Sequence, residues 1–208
     1  MRRGHVSGWV ERAATTVDVG ARWLARHWLA VVNLTLLVYV VLPLLAPVFM
    51  ALGWKGVGEA IYIAYRPFCH QLPERSFFLF GPRATYTLQE LAAVGLPVDF
   101  DLGSLWARRV FLGSAALGYK MAFCQRDLAL YGALALGGLG YGLLRTRVRP
   151  LSWRVFVLLW VPLAVDGSTQ LVGLRESTWL LRVITGGIAG VATVWALYPR
   201  LDRAMRST

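Results

Sequence analysis

Charge is scarce in this chain of 208 residues, and acidic charge is scarcest: charged side chains make up 16%, with 11 Asp and Glu against 22 Lys and Arg. A soluble globule usually carries about a quarter charged residues. Hydrophobic residues reach 57% and mean hydropathy is +0.53. The missing polar shell excludes a soluble enzyme of ordinary construction, and the apolar excess excludes disorder. A formal charge of +11 fits nucleic-acid binding, but that use needs the basic residues in one patch, and here they flank apolar runs. No nucleic-acid partner is expected. Phosphate-binding glycine loops, Ser/His/Asp arrangements and haem-attachment motifs are all missing, as are internal repeats and low-complexity tracts.

What the chain does have is apolar length. Trp28 to Trp54 carries no formal charge between Arg26 and Lys55. A bilayer core of roughly 30 Å needs about 20 such residues, so residues 28–54 read as a first transmembrane helix. The run is too long for a signal peptide, and Pro43 and Pro47 inside it predict a kink of the kind spanning helices tolerate. Further runs at 128–144, 151–171 and 178–198 predict three more spans within 128–198. The expected fold is an all-α membrane protein with about four transmembrane helices. Gly138 with Gly142, and Gly186 with Gly190, have the spacing that lets helix backbones approach closely. Packing inside the chain is the first use of such faces, and contact with partner membrane subunits is the second. Nine tryptophans, among them Trp23, Trp28, Trp54, Trp153 and Trp179, suit the two membrane interfaces.

Lys and Arg near span ends set orientation. The N-terminal segment, 1–27, carries Arg2, Arg3, Arg12, Arg22 and Arg26 against Glu11 and Asp18. The connection after the second run carries Arg145, Arg147 and Arg149 with no acid, and the tail, 199–208, has Arg200, Arg203 and Arg206 against Asp202. All three fall on one side of a four-span chain. The reading is a multi-pass cell-membrane protein, surrounded by membrane lipids, with both termini cytoplasmic. Residues 55–127, with eight basic and six acidic residues, then face outward. Within them, 56–65 predicts a helix ending before Pro67, 87–94 another, and the apolar stubs at 77–80 and 110–119 are too short to span. The expectation is an outer-face cap of short interfacial helices. His5 and His27 read as solvated or interfacial.

Four polar features converge on that outer face: Cys69-His70-Gln71 with Pro73 to Ser76; Cys124-Gln125-Arg126-Asp127; Asp166 to Gln170; and Arg175-Glu176-Ser177 with Arg182. Their combination resembles a family of predicted prokaryotic multi-pass membrane proteins of unknown function, recognised by a Cys-His-Gln element and a Cys-x-Arg-Cys element. The resemblance runs over roughly residues 60–195. It implies a multi-pass fold and no transferable activity. This chain departs from the pattern at Asp127, which stands where the family has its last cysteine, and in an insertion of some thirty residues before the second element.

Cys69, His70, Cys124 and Asp127 are candidate ligands for a metal such as zinc or iron, since zinc accepts thiolate, imidazole and carboxylate alike. Exchanging the last cysteine for aspartate keeps a ligand but would remove a disulfide partner. A disulfide between Cys69 and Cys124 is the competing reading, both cysteines lying on the oxidising side. With it goes a non-enzymatic accessory role. Thiol redox chemistry is a further alternative, weakened by the lack of a Cys-x-x-Cys pair. Gln71, Arg75, Arg126, Gln170, Arg175 and Arg182 are expected to support the cluster. Asp166 is the candidate general base or proton acceptor. An ion pair with Arg182 is expected for it, because ionisable groups at membrane depth face a partner.

Overall fold

The computed structural model describes residues 3–99 and 101–207, with side chains left out for residues 3–11, 13 and 14. The side-chain expectations for Arg2, Arg3, His5 and Glu11 lie outside the described residues. Helix α1 is Arg3–Ala51, followed by α2, Lys55–Tyr65. After a short 3₁₀ turn come β1, Ser76–Leu79; α3, Leu88–Ala93; α4, Leu102–Val110; β2, Gly113–Ser114; and β3, Gly118–Cys124. Three long helices complete the chain: α5, Gln125–Leu144; α6, Trp153–Leu171; and α7, Trp179–Arg206.

The first helix does not start where the charge-free run starts. It extends back through the basic segment to 49 residues, about 74 Å at 1.5 Å per residue, more than twice the roughly 30 Å of a bilayer core. Among the described residues, three helices are long and apolar enough to cross a membrane: Thr15–Ala51 of α1, then α5 and α7. Helix α6 has 19 residues, but Arg154, Asp166 and Gln170 interrupt its apolar run.

Packing between the long helices is parallel for α5 and α7. A Cβ on Gly186 would lie 2.6 Å from the Arg126 carbonyl oxygen, and one on Gly190 would lie 2.4 Å from that of Leu130. Further along, Gly137 meets Val194. Only glycine allows this approach, so the Gly186/Gly190 face is used inside the chain. The other spaced pair is used the same way: Gly138 faces Asn33 and Gly142 faces Leu29, both on α1. Helix α6 runs the opposite way to α7. Leu151 donates its backbone N–H to Trp195 at 3.2 Å, Trp160 donates to Thr193 at 3.2 Å, and Asp166 meets Arg126 at the start of α5.

This arrangement brings the basic segments to one end of the bundle. Trp28 Nε1 donates to Asp202 at 3.4 Å, and Asp202 pairs with Arg145 and Arg206. The predicted grouping of N-terminal segment, inter-helix connection and tail at one end is therefore present in the structure.

At the opposite end the all-α expectation needs correction. The cap contains a three-stranded antiparallel sheet in the order β1-β3-β2, with Ser76 opposite Cys124 and Gly113 opposite Tyr119. The stub at 77–80 is strand β1, and the stub at 110–119 supplies β2 and the start of β3. Gly113 and Gly118 close the β2–β3 turn with φ of +110° and +83°, a region L side chains rarely enter. Two predicted cap helices are present. Helix α3 is held by a capping box of Thr87 and Glu90, and α2 stops at Tyr65, where Pro67 lacks the N–H that would continue it. Phe78, Tyr86 and Leu91 form the cap's own core. A second core, around Tyr62, Tyr65, Cys69, Ala122 and Phe123, joins the cap to α1 through Ala46 and Met50.

Candidate functional site

Helix α5 begins at the site. Cys124 ends β3 and is the N-cap of α5, its Sγ accepting the backbone N–H of Asp127 at 3.4 Å. Cys69 follows α2. Its Sγ accepts the backbone N–H of Cys124 at 3.2 Å and that of Gln71 at 3.5 Å. The loop reaches this position because Gln71 takes a left-handed φ of 53°. Its fully buried amide donates to the carbonyls of Tyr62 at 2.9 Å and Ala122 at 3.1 Å. Gln71 thus ties the Cys69 loop to both α2 and β3.

The sulfurs of Cys69 and Cys124 and a carboxylate oxygen of Asp127 all lie within 4.8 Å of one another. Both cysteines are free, so the disulfide alternative is not the observed state. The Cys124 thiol is pushed up well above its ordinary pKa, first by its hydrogen bond with Cys69 and then by burial. Of the four predicted ligands, His70 is the one left out. It is exposed and lines the same cavity, but it is not part of the three-residue cluster.

The supporting residues are brought together, with different pairings from those expected. Asp166, 2% exposed, is engaged on both oxygens: Arg175 donates to Oδ1 at 2.8 Å and Arg126 to Oδ2. Arg126 also donates to Gln170 Oε1 at 3.2 Å. Arg182 is not the ion-pair partner. It donates instead to the Glu74 carbonyl at 3.0 Å and to Gln125 Oε1 at 2.9 Å. Depth along the helices puts Arg126, Arg175 and Arg182 at similar heights. The rotation of α7 turns Arg182 towards the cap, and that of α5 turns Arg126 towards α6. Asp166 thus links Arg126 and Arg175 through one buried carboxylate.

Sequence reasoning missed the layer beneath. Lys120 is fully buried in β3 and donates to the carbonyls of Gln71, Arg108 and Arg109. These acceptors hold the ammonium in place, while burial pushes its pKa down to about 7. Glu74 and Arg108 form an ion pair at 3.1 Å with side chains 6% and 2% exposed. Gln125 bridges Arg182 to the Ser76 carbonyl, its Nε2 donating at 3.1 Å. One signal was available for Lys120: strand alternation puts it on the face shared with Gly118 and Ala122, the small, buried side of β3.

The arrangement so far is a helix N-terminus carrying two thiols and a carboxylate, ringed by arginines, at one end of a helical bundle. Residues 113–196, which include β2, β3, α5, α6 and the first part of α7, match the sequence profile of the family described as "Predicted membrane protein (DUF2085)". The chain is also 31% identical over 182 residues to "Uncharacterized protein MJ1492" of Methanocaldococcus jannaschii, an alignment covering 84% of this chain and 92% of that one. The chain belongs to this family of predicted membrane proteins. Its function as a class is unknown. No solved structure matches the chain. Family membership and three spanning-length helices together make it a membrane protein.

Proposed function

We propose that this DUF2085 member is a four-span protein of the cell membrane, with both termini cytoplasmic and a metal centre at the outer face. Parallel packing of α5 and α7 supports the fourth span. If both cross the bilayer in the same direction, the chain between them must cross back, and α6 is the segment that lies along them in reverse. It also exposes Val157, Leu158, Val161 and Val165, a face suited to lipid. The concentration of arginine at the Asp202 end supports the orientation.

The observation that carries the metal reading is the approach of Cys69, Cys124 and Asp127 to within 4.8 Å. Ligands of one tetrahedral zinc, each about 2.0–2.3 Å from the ion, stand roughly 3.5–4 Å apart. Small side-chain rotations close the difference. A metal would displace the thiol protons on binding, and the start of α5 and the surrounding arginines would offset the negative charge of the resulting centre. His70, on the rim of the cavity, is the candidate fourth ligand. Zinc or iron held this way with an open position would supply a Lewis acid and an activated water; closed by His70, it would be a clasp joining the Cys69 loop to α5.

Elemental analysis of the full chain, purified in detergent without a histidine tag, tests this. About one zinc or iron per chain is expected for a single site. Cys69→Ser and Cys124→Ser should each remove it, and His70→Ala should remove it only if the site is closed. A chain free of metal after growth in zinc- and iron-supplemented medium overturns the reading.

A further inference from the structure

The cavity onto which the thiol cluster opens has a volume of about 180 Å³; Cys69, Cys124 and Asp127 line one part of it, and Arg75, Arg126, Gln170 and Arg182 line another. At about 30 Å³ per water in the liquid, it holds the volume of about six waters. That is below the roughly 300 Å³ at which pockets for drug-sized ligands begin. Its occupant is small.

The chemistry of the lining decides what kind. Arg75 Nε, Arg126 Nε, Arg182 Nε and Gln170 Nε2 are buried N–H donors with no hydrogen-bond partner, whereas Gln71 Oε1 is the one acceptor among the lining residues in that condition. Two of these side chains are more than nine-tenths buried, Arg182 at 4% exposure and Gln170 at 7%. Gln170 has spent its carbonyl oxygen on Arg126, so only its N–H groups remain to offer. Among the described residues, the Arg75 guanidinium makes no ion pair and no hydrogen bond. A guanidinium has donors only, and buried donors left unmet are costly.

Charge points the same way. Three lining guanidiniums face the single carboxylate of Asp127. The neighbouring groups add the cations Arg175 and Arg108 and the anions Asp166, Glu74 and Glu176, and the balance stays positive by one. Two thiolates around a divalent metal cancel and do not change this. Converging guanidinium and amide donors suit the three acceptor oxygens of a phosphate group better than the two of a carboxylate.

We propose that this cavity is a binding site for a phosphate group, held by Arg75, Arg126, Arg182 and Gln170. The site goes beyond the metal reading, because none of these residues is in the metal cluster. A soluble phosphate compound and a phospholipid headgroup share the chemistry.

The test uses the full-length chain in nonionic detergent, titrated calorimetrically with inorganic phosphate. In parallel, it is incorporated into nanodiscs of phosphatidylcholine with or without phosphatidic acid, and retained lipid is counted by native mass spectrometry. Arg75→Gln should weaken phosphate binding at least tenfold. The guanidinium makes no direct ion pair or hydrogen bond and only longer-range contacts with Glu74 and Glu176, so the variant should stay close to the parent's thermal midpoint. Arg147→Gln, at the far end of the bundle, should change binding less than twofold. Phosphate binding with specific retention of phosphatidic acid, both lost in Arg75→Gln, supports the site and assigns a lipid source. Phosphate binding alone supports it with a soluble source. Equal losses in Arg75→Gln and Arg147→Gln, or binding of neither probe, overturn it. Cys69→Ser separates the two readings: phosphate binding kept without metal leaves the anion site standing alone. Binding that vanishes there and is indifferent to Arg75→Gln assigns the anion to the metal and overturns the proposal.

Discussion

Two buried aspartates mark the two ends of this bundle, and each meets two arginines. Asp202 pairs with Arg145 and Arg206, whose side chains are 32% and 62% exposed. Asp166 pairs with Arg126 and Arg175, at 20% and 43%. The pairings match in composition and differ in surroundings. Trp28 closes Asp202 off, and the unpartnered buried guanidinium nitrogens are all found at the other end. Around Asp166 lie the thiols, the cavity and the donors without acceptors. A carboxylate with two arginines is therefore a staple at one end and part of a site at the other, and what separates them is the groups left unsatisfied nearby.

The largest expected effect tests that contrast directly. Asp166→Asn leaves two guanidiniums beside a nearly inaccessible amide, and breaking a buried pair by removing one partner costs about 3–5 kcal/mol. Asp202→Asn releases arginines that can turn to water, and its cost should stay near 1 kcal/mol, the upper range for exposed pairs. Unfolding of both variants in mixed micelles with rising SDS measures the difference. Equal losses would mean that the two ends are energetically alike and that exposure of the arginines is irrelevant.

Glycine packing offers a second comparison. Gly186→Ala puts a Cβ against the backbone oxygen of Arg126, which cannot move aside without shifting the start of α5, and overpacking of this kind costs about 1–3 kcal/mol. Because Arg126 also holds Asp166, the variant should lose bound metal together with stability. Gly142→Ala meets Leu29 at 3.8 Å, an ordinary contact, and should be neutral or gain up to about 1 kcal/mol in helix propensity. Metal content and thermal midpoint of the two variants, measured side by side, check both claims. Unchanged metal in Gly186→Ala would detach the glycine face from the site.

Lys120 adds a pH signature to the cap end in the neutral to alkaline range. Its folded pKa is lowered to about 7 from 10.5. Between those values the unfolded chain holds a proton that the folded chain does not, so stability contributed by this group rises with pH through that window. Below about 7 both states are protonated and the contribution is flat. Stability measured from pH 6 to 10 should climb less steeply in Lys120→Met than in the parent. At pH 6 the variant also loses stability by leaving three carbonyls without their donor, each worth about 1 kcal/mol. Identical slopes in variant and parent would show that the buried ammonium keeps its proton throughout.

Several of these features were legible in the residues. The charge-free run to Trp54 gave α1's apolar half, Pro67 fixed the end of α2, and the expected helix at 87–94 is α3. The convergence of Cys69, Cys124, Asp127, Arg126 and Gln170 on one end followed from placing the spans. What could not be read was rotation and strand pairing. A four-residue apolar stub such as 77–80 has no length with which to show a period, so β1 looked like an interfacial helix. Depth along the spans placed Asp166 and Arg182 at one level but said nothing of which way each helix faces. Glu74 and Arg108, and Lys120 with its three carbonyls, depend on a sheet register that a single sequence does not display.

The smallest perturbation addresses the sign of the comparison, namely which end faces the cytoplasm. Asp99 and Arg147 are exposed, at the cap and the basic end respectively, and substitutions at such positions stay within about 0.5 kcal/mol. Asp99→Cys and Arg147→Cys can each be labelled in intact cells with a membrane-impermeant thiol reagent. The parent chain, with Cys69 buried and Cys124 half-buried, sets the background. Arginine-rich connections are retained on the cytoplasmic side, so Asp99→Cys should label before lysis and Arg147→Cys only after it. The reverse pattern would put the thiol cluster in the cytoplasm and the arginine end outside. Labelling of both before lysis would mean that α5, the helix between the two sites, does not carry the chain across the bilayer, which would remove the proposed topology.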